Sequence, residues 1–360
     1  MPHPFLDLAP LTAERFASIE RRVAALLSTR QDVVITQGEA LLPLEACIRS
    51  GARPGSTALN VVTGPYGTTF GNWLRDCGAD VVDLVVPFDS AVTGAQVAAA
   101  LADRPEIDFV SLVHAEAATG NTNPVAEIGE AVRAHGALFM LDAVASTGAE
   151  PLLPDAWGVD LCVIGAQKAL GGPAGVSAVS VSERAWDRFA ANPAAPRRSY
   201  LSLLDWKERW IDGGRKALLH APAQLEMLAL EACAERVEAE GLAAVERRHA
   251  AAAAAVRAGA VALGGGVCPY VREAAAAAPV ATTLRVADAS LVAAKAVAAD
   301  PAVPVAAGGG ALASQMLRVN HYGPAASLAT VRASLTALAT ALGVPAAPAL
   351  DAAEAAWAAR

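Results

Sequence analysis

Ala137-Leu138-Phe139-Met140-Leu141-Asp142 is an apolar run closed by a carboxylate. Leu161-Cys162-Val163-Ile164-Gly165 is a second such run, and Ala166-Gln167-Lys168 follows it. Runs this short and this uniformly apolar read as strands buried on both faces, the signature of a parallel sheet covered by helices. Asp142 and Lys168 stand 26 residues apart, the length of one strand–helix–strand excursion. They are therefore expected to project from neighbouring strand ends into one crevice, because ligands of such sheets bind beyond the carboxyl ends of the strands.

The alternation extends in both directions. Residues 32–36, 57–63, 109–114 and 176–181 are further strand candidates, and residues 42–49 have helical spacing. Gly64-Pro65-Tyr66-Gly67 is expected to form a turn after residues 57–63. Residues 124–132 place apolar side chains at helical spacing, with Pro124 at the expected first helical position and Gly136 placed to end the helix. Polar residues follow the strands: Gly38-Glu39, Tyr66, His114 to Thr119, Asp142 and Lys168. After about residue 235 the character changes. Residues 234–263 form a long Ala/Glu/Arg helical stretch with a break expected at Gly241. Residues 280–286, 303–307 and 317–320 read as strands, and 290–299 and 327–342 as helices. The expected architecture is α/β: a large unit with a mostly parallel sheet over residues 1–235, and a smaller C-terminal α+β unit over 236–360.

Composition narrows the function. The chain of 360 residues is 54% hydrophobic and 18% charged, with mean hydropathy +0.37, which excludes disorder as its dominant state. Residues 250–263, its longest alanine-rich stretch, are broken by Arg257 and Gly259 and fall short of the roughly 20 apolar residues a bilayer span needs. Residues 1–7 lack the basic-then-apolar layout of a signal peptide. A net charge of −8 with pI near 5.3 argues against nucleic-acid or anionic-membrane surfaces. A cytoplasmic protein acting on small molecules is expected, with neither nucleic acid nor membrane as partner. Cys47, Cys77, Cys162, Cys233 and Cys268 form no CxxC pair, and the six histidines form no HxxxH pattern. Neither a disulfide scaffold nor a metal site is expected. The glycine signatures of dinucleotide and P-loop sites and the GxSxG elbow are absent.

What remains is the pair Asp142 and Lys168. A carboxylate closing a buried strand is costly unless it is paired, and a lysine among glycines is poorly explained as a solvated charge. Pyridoxal chemistry requires such a pair. A lysine amine forms a Schiff base with the aldehyde, and a carboxylate keeps the pyridine nitrogen protonated so that the ring withdraws electrons. Taken one residue at a time, Asp142 could instead be a cap and Lys168 a surface loop residue.

Asp142-Ala143-Val144-Ala145-Ser146 together with Gln167-Lys168-Ala169-Leu170-Gly171-Gly172-Pro173-Ala174-Gly175 resembles the class V aminotransferases of fold type I, the alanine–glyoxylate and serine–pyruvate type. Further matching segments begin at Gly38, Tyr66, Thr119, Ser182 and Leu201, with a looser match at Arg318-Val319-Asn320-His321-Tyr322-Gly323. Within the family the chain is most similar to the pyridoxamine–pyruvate branch. The resemblance runs from about residue 30 to residue 330. It implies that Lys168 is the Schiff-base lysine and proton shuttle. Asp142 then pairs with the ring nitrogen, Tyr66 stacks on the ring, and Glu39, Ala40 and Gln167 complete the cofactor site. Arg318 is the implied ligand of the substrate carboxylate, and the assembly a homodimer.

Departures from the family pattern refine this expectation. Where phosphate-binding relatives offer hydroxyl and imidazole donors at a helix N-terminus, this chain carries Glu39. A threonine that the partner subunit usually supplies falls at Ala221, and a hydroxyl near the ring oxygen falls at Ala117. A second arginine of the pyridoxamine–pyruvate branch falls at Gly309. The implied activity is amino transfer between pyridoxamine, or a small amino acid such as alanine, and a small 2-oxo acid such as pyruvate. The implied cofactor is pyridoxal phosphate, or the unphosphorylated pyridoxal and pyridoxamine acting as substrate. An ordinary phosphate-dependent aminotransferase and a non-catalytic scaffold of the same fold are the alternatives.

Overall fold

A computed structural model of the chain describes residues 8–360; residues 1–7, on which the signal-peptide expectation rests, lie outside them. The first half alternates strand and helix. It runs α1 (Ala13–Leu26), β1 (Asp32–Thr36), α2 (Leu41–Gly51), β2 (Thr57–Val62), α3 (Pro65–Asp76), β3 (Asp80–Val85), α4 (Gly94–Asp103) and β4 (Ile107–Val113). A short hairpin, β5 (Ala115–Glu116) with β6 (Asn121–Thr122), then leads to α5 (Val125–His135) and β7 (Leu138–Asp142). α6 (Pro154–Trp157), β8 (Leu161–Gly165), β9 (Ser177–Val181), α7 (Glu183–Ala190) and α8 (Leu203–Trp206) complete the large unit.

The main sheet has seven strands in the order β1-β9-β8-β7-β4-β2-β3. β8, β7, β4, β2 and β3 pair in parallel, and only β9 runs against its neighbours. β2, β7, β8 and β9 are buried at every position, as two-sided helical cover requires. Gly136 ends α5 at φ 93°, and its N–H bonds the Val132 carbonyl. Aromatic side chains of α1, α8 and the helical turn that follows it lock one edge of the unit: Phe16 stacks on Trp206 at 5.6 Å and meets Trp210 edge-on at 5.3 Å.

Two expectations based on proline are corrected. Pro65 opens helix α3 rather than sitting in a turn, because its missing N–H and fixed φ suit the first helical turn. Pro124 caps α5 from outside, so the helix begins one residue later than expected. β3 was not anticipated: it is an edge strand whose run Asp-Val-Val-Asp-Leu-Val is partly exposed, so it lacks the apolar signature of its neighbours.

A long pair of helices, α9 (Gln224–Glu240) and α10 (Leu242–Leu263), joins at Gly241 and leads into the second sheet. The boundary expected between residues 235 and 236 falls inside α9. β10 (Cys268–Pro269), β11 (Ala281–Arg285), α11 (Ala289–Ala299), β12 (Val305–Ala307), β13 (Met316–Asn320), α12 (Leu328–Leu342) and α13 (Ala347–Ala358) follow. The four strands form an antiparallel sheet in the order β10-β11-β13-β12 with its own buried core against α10 to α13. This smaller C-terminal sheet stands beside the main one, and β13 lies in its interior.

Candidate active site

The main sheet delivers its strand ends to one open cleft. Each wall follows a strand: Glu39, Ala40 and Leu41 come after β1, and Tyr66 lies in the first turn of α3 after β2. Val113 ends β4, Asp142 ends β7, and Lys168 comes just after β8. The polar lining consists of Glu39, Tyr66, Asp142 and Lys168; the remainder is aliphatic, with Ala115, Ala117 and Ala145 among it. The strand-end expectation therefore brings Asp142 and Lys168 into one cleft from the neighbouring strands β7 and β8.

Asp142 is buried between β4 and β8, and its Oδ1 accepts the Val144 N–H at 3.0 Å. No described residue donates to its Oδ2. Burial pushes the carboxyl up to about 7; the Val144 N–H and the Lys168 charge oppose the rise, and the Glu39 charge adds to it. Tyr66 is 37% exposed, its ring half in the cleft, and burial followed by the Glu39 charge pushes its hydroxyl up as well.

Glu116, on β5, is fully buried and pushed up to about 8, first by burial and then by the Asp142 charge. The Gly67 and Tyr66 amides face it from the N-terminus of α3 and favour its charge, yet neither closes a hydrogen bond on its oxygens. Its carboxyl lies against the Gly64 Cα, where a Cβ would meet it at 2.3 Å. Glu20 makes the contrast. It is equally buried, but it accepts Trp210 Nε1 at 2.6 Å and Arg215 Nε at 3.0 Å.

Glu39 combines two positions. Its Oε2 accepts the Leu41 N–H at 2.8 Å, and its Oε1 accepts Gln167 Nε2 at 2.7 Å. The carboxylate thus occupies the N-terminus of α2, where unpaired N–H groups and the positive end of the helix dipole attract an anion. Ala40, the formal cap residue of α2, is buried and supplies no side-chain cap. Glu39 is therefore both a helix cap and a wall of the cleft.

Lys168 Nζ donates to Tyr322 Oη at 3.3 Å, a contact that crosses from the main sheet to the loop after β13. The two loops touch through glycines: a Cβ on Gly323, whose φ is +53°, would stand 2.7 Å from the Gly171 Cα. The Arg236 guanidinium donates to the Leu170 carbonyl and ties down the lysine loop. Arg248 Nη1 donates to the Gly323 and Ala326 carbonyls at 2.8 and 3.0 Å and ties down the other.

Arg318 is not among the residues lining the cleft. It sits on β13 between β11 and β12, in the interior of the small sheet rather than on an edge. Opposite it stands Thr283, on the same face, whose Oγ1 donates to the Thr119 carbonyl at 2.7 Å. That face is turned to the main sheet's hairpin. Arg318 Nε is buried without a partner, and among the described residues the side chain makes no ion pair. The Thr119 to Pro124 segment is structural: Asn121 Nδ2 donates to the Thr63 and Ser90 carbonyls, and Asn123 Nδ2 to Thr63 Oγ1 and the Val113 carbonyl.

Glu116 and Tyr322 do not line the cleft but stand beside it, Glu116 near the Asp142 charge and Tyr322 on Lys168, and neither was named as a site residue. Glu116 falls within the strand-end segment His114 to Thr119. Tyr322 follows a strand of the second sheet, where the strand-end rule was not applied.

The sequence pattern of the family "Aminotransferase class-V" matches residues 6–346. The chain belongs to the class V aminotransferases: it is an enzyme, an aminotransferase, in a family that uses pyridoxal phosphate. It is 36% identical over 307 residues to the pyridoxamine–pyruvate transaminase of Mesorhizobium japonicum, covering 85% of this chain and 77% of that one. The crystal structure of pyridoxamine–pyruvate aminotransferase from Mesorhizobium loti superposes with a TM-score of 0.89 at 31% identity, covering 96% of this chain and 89% of that one. An alanine–glyoxylate aminotransferase from Nostoc superposes with a TM-score of 0.85 at 26% identity, covering 94% and 92% of the two chains. No helix among the described residues is long and apolar enough to cross a membrane.

Proposed function

We propose that this aminotransferase moves an amino group between pyridoxamine and a small 2-oxo acid such as pyruvate, taking the unphosphorylated vitamin as its substrate. The observation that carries the reading is the Glu39 carboxylate, which already holds the Leu41 N–H at the helix N-terminus facing the cleft. A phosphate docking there would compete for that donor and face a like charge. Gln167 keeps Glu39 in place from the lysine loop. The names of the Mesorhizobium relatives support the same substrates.

The residues present fit a pyridoxal ring. A buried carboxyl with a free oxygen suits a protonated ring nitrogen, and alanine walls admit a flat ring. Bound there, the ring supplies an aldehyde that condenses with amines and a nitrogen that draws electrons from the carbon being deprotonated. Asp142 holds the proton on that nitrogen. Lys168 Nζ would carry the proton between the two carbons that flank the transferred nitrogen. Tyr66 lines the cleft and would stack on the ring, where an aromatic pair adds about 1 kcal/mol. Arg318 lies outside the residues that line the cleft but makes no ion pair among the described residues, and it is the proposed bidentate partner of the 2-oxo acid carboxylate. Two copies of the chain form a homodimer, as the resemblance to the family implies.

The test is product analysis. Protein incubated with pyridoxamine and pyruvate should yield pyridoxal and alanine, and pyridoxamine phosphate should be the poorer donor. Lys168→Ala should lower the rate by several orders of magnitude, as expected when a covalent catalyst is lost. A Lys168→Ala variant with parental turnover would remove Lys168 from the chemistry. Faster turnover of the phosphate would return the chain to ordinary phosphate-dependent transamination.

A further inference from the structure

Lys168 is held by a side chain to which the reading above gives no role. Its Nζ lies 3.3 Å from Tyr322 Oη and 4.9 Å from the centre of the Tyr322 ring. Among the described residues this is the side-chain hydrogen bond Lys168 makes. The phenol comes from the second sheet, two residues past β13, and its ring packs on the alanine cluster of Ala115, Ala117, Ala145 and Ala169. That cluster offers no hydroxyl of its own. The Gly171–Gly323 backbone contact and the Arg236 and Arg248 ties fix the two loops against each other, so packed backbone sets the reach of the phenol.

A lysine that takes and returns protons must be held in two states. As an ammonium it can only donate a hydrogen bond; as a free amine it must accept one to stay oriented. A phenol accepts from the first and donates to the second. We propose that Tyr322 is a positioning residue for Lys168, keeping Nζ aimed into the cleft in both protonation states. The inference rests on the assignment of Lys168 as the proton-moving lysine.

The test is Tyr322→Phe in the full-length protein, with three measurements. These are kcat and KM for pyridoxamine with pyruvate, the stopped-flow rate at which added pyridoxal forms its visible adduct with Lys168, and the melting temperature. The ring, and hence the packing, is retained, so the melting temperature and KM should stay close to the parent values. Both kcat and the rate of adduct formation should fall by roughly 10- to 100-fold, the scale of a reacting group misplaced by about 1 Å. Parental kcat and adduct rate in the variant would overturn the proposal. So would a loss of activity that tracks a lowered melting temperature and a raised KM, which marks a structural role. Failure of the parent protein to form any adduct would instead refute the reading of Lys168 itself.

Discussion

The side chains of the cleft differ mainly in how their charge is compensated. Glu20, elsewhere in the fold, has two donors, whereas Asp142 has one backbone N–H and Glu116 has no close donor. A fold retains such a carboxyl where a ligand completes it, and Asp142 borders the cleft that a pyridinium ring would fill. Asp142→Asn keeps the shape and removes the charge. The variant should fold as the parent does, while kcat for transamination falls by about 100- to 1,000-fold, the range for losing one preorganised electrostatic contact. Circular dichroism and steady-state kinetics check both halves, and parental kinetics would show that Asp142 does not act on the ring.

The elements bring the lysine loop and the loop after β13 together, and Gly323 is the joint between them. Its φ of +53° and its approach to Gly171 leave no room for a side chain. Gly323→Ala should destabilise the protein by about 1–3 kcal/mol through overpacking and backbone strain. It should also slow transamination, because Tyr322 is displaced from Lys168. Chemical denaturation and kcat measured on the same preparation test this, and a variant of parental stability would contradict the packing described. The apolar strands and the Asp142–Lys168 juxtaposition were legible because they rest on short-range pattern: uniform burial along a strand and a fixed spacing between strand ends. The Lys168–Tyr322 contact was not legible, since 154 residues separate the partners and only tertiary packing joins them. β3 escaped for the opposite reason, because an exposed edge strand with two aspartates carries little apolar signal. Glu39 was legible as either a cap or a cleft residue, and the structure gives it both positions.

Across the whole molecule, buried titratable groups set how stability responds to pH. Burial raises Asp142 to about 7 and Glu116 and Glu150 to about 8. The native state therefore binds protons that the unfolded chain has released, and stability is lost as pH rises through that range. Burial lowers His114 and His249 to about 4 and His321 to about 3, so their contribution is lost as pH falls below 6.5. The two sets offset one another from about pH 4.5 to 6.5, and above that the carboxyls dominate. Melting temperatures of the ligand-free protein should be nearly level from about pH 5 to 6.5 and then decline toward about pH 8.5. A rise over the upper interval would contradict the burial of these carboxyls.

The choice between the phosphorylated and the free vitamin turns on what the Glu39 end of the cleft accepts. Two unit charges 4 Å apart at an effective dielectric of 20 repel by about 4 kcal/mol, and because Glu39 is exposed to solvent we reduce this to a roughly ten- to hundredfold preference. The measurement is a spectroscopic titration of the purified protein with pyridoxal and, separately, with pyridoxal phosphate, repeated on Glu39→Ser. The parent should bind pyridoxal more tightly, with a gap that narrows or inverts in the variant. Tighter binding of pyridoxal phosphate by the parent, unchanged in Glu39→Ser, would contradict this.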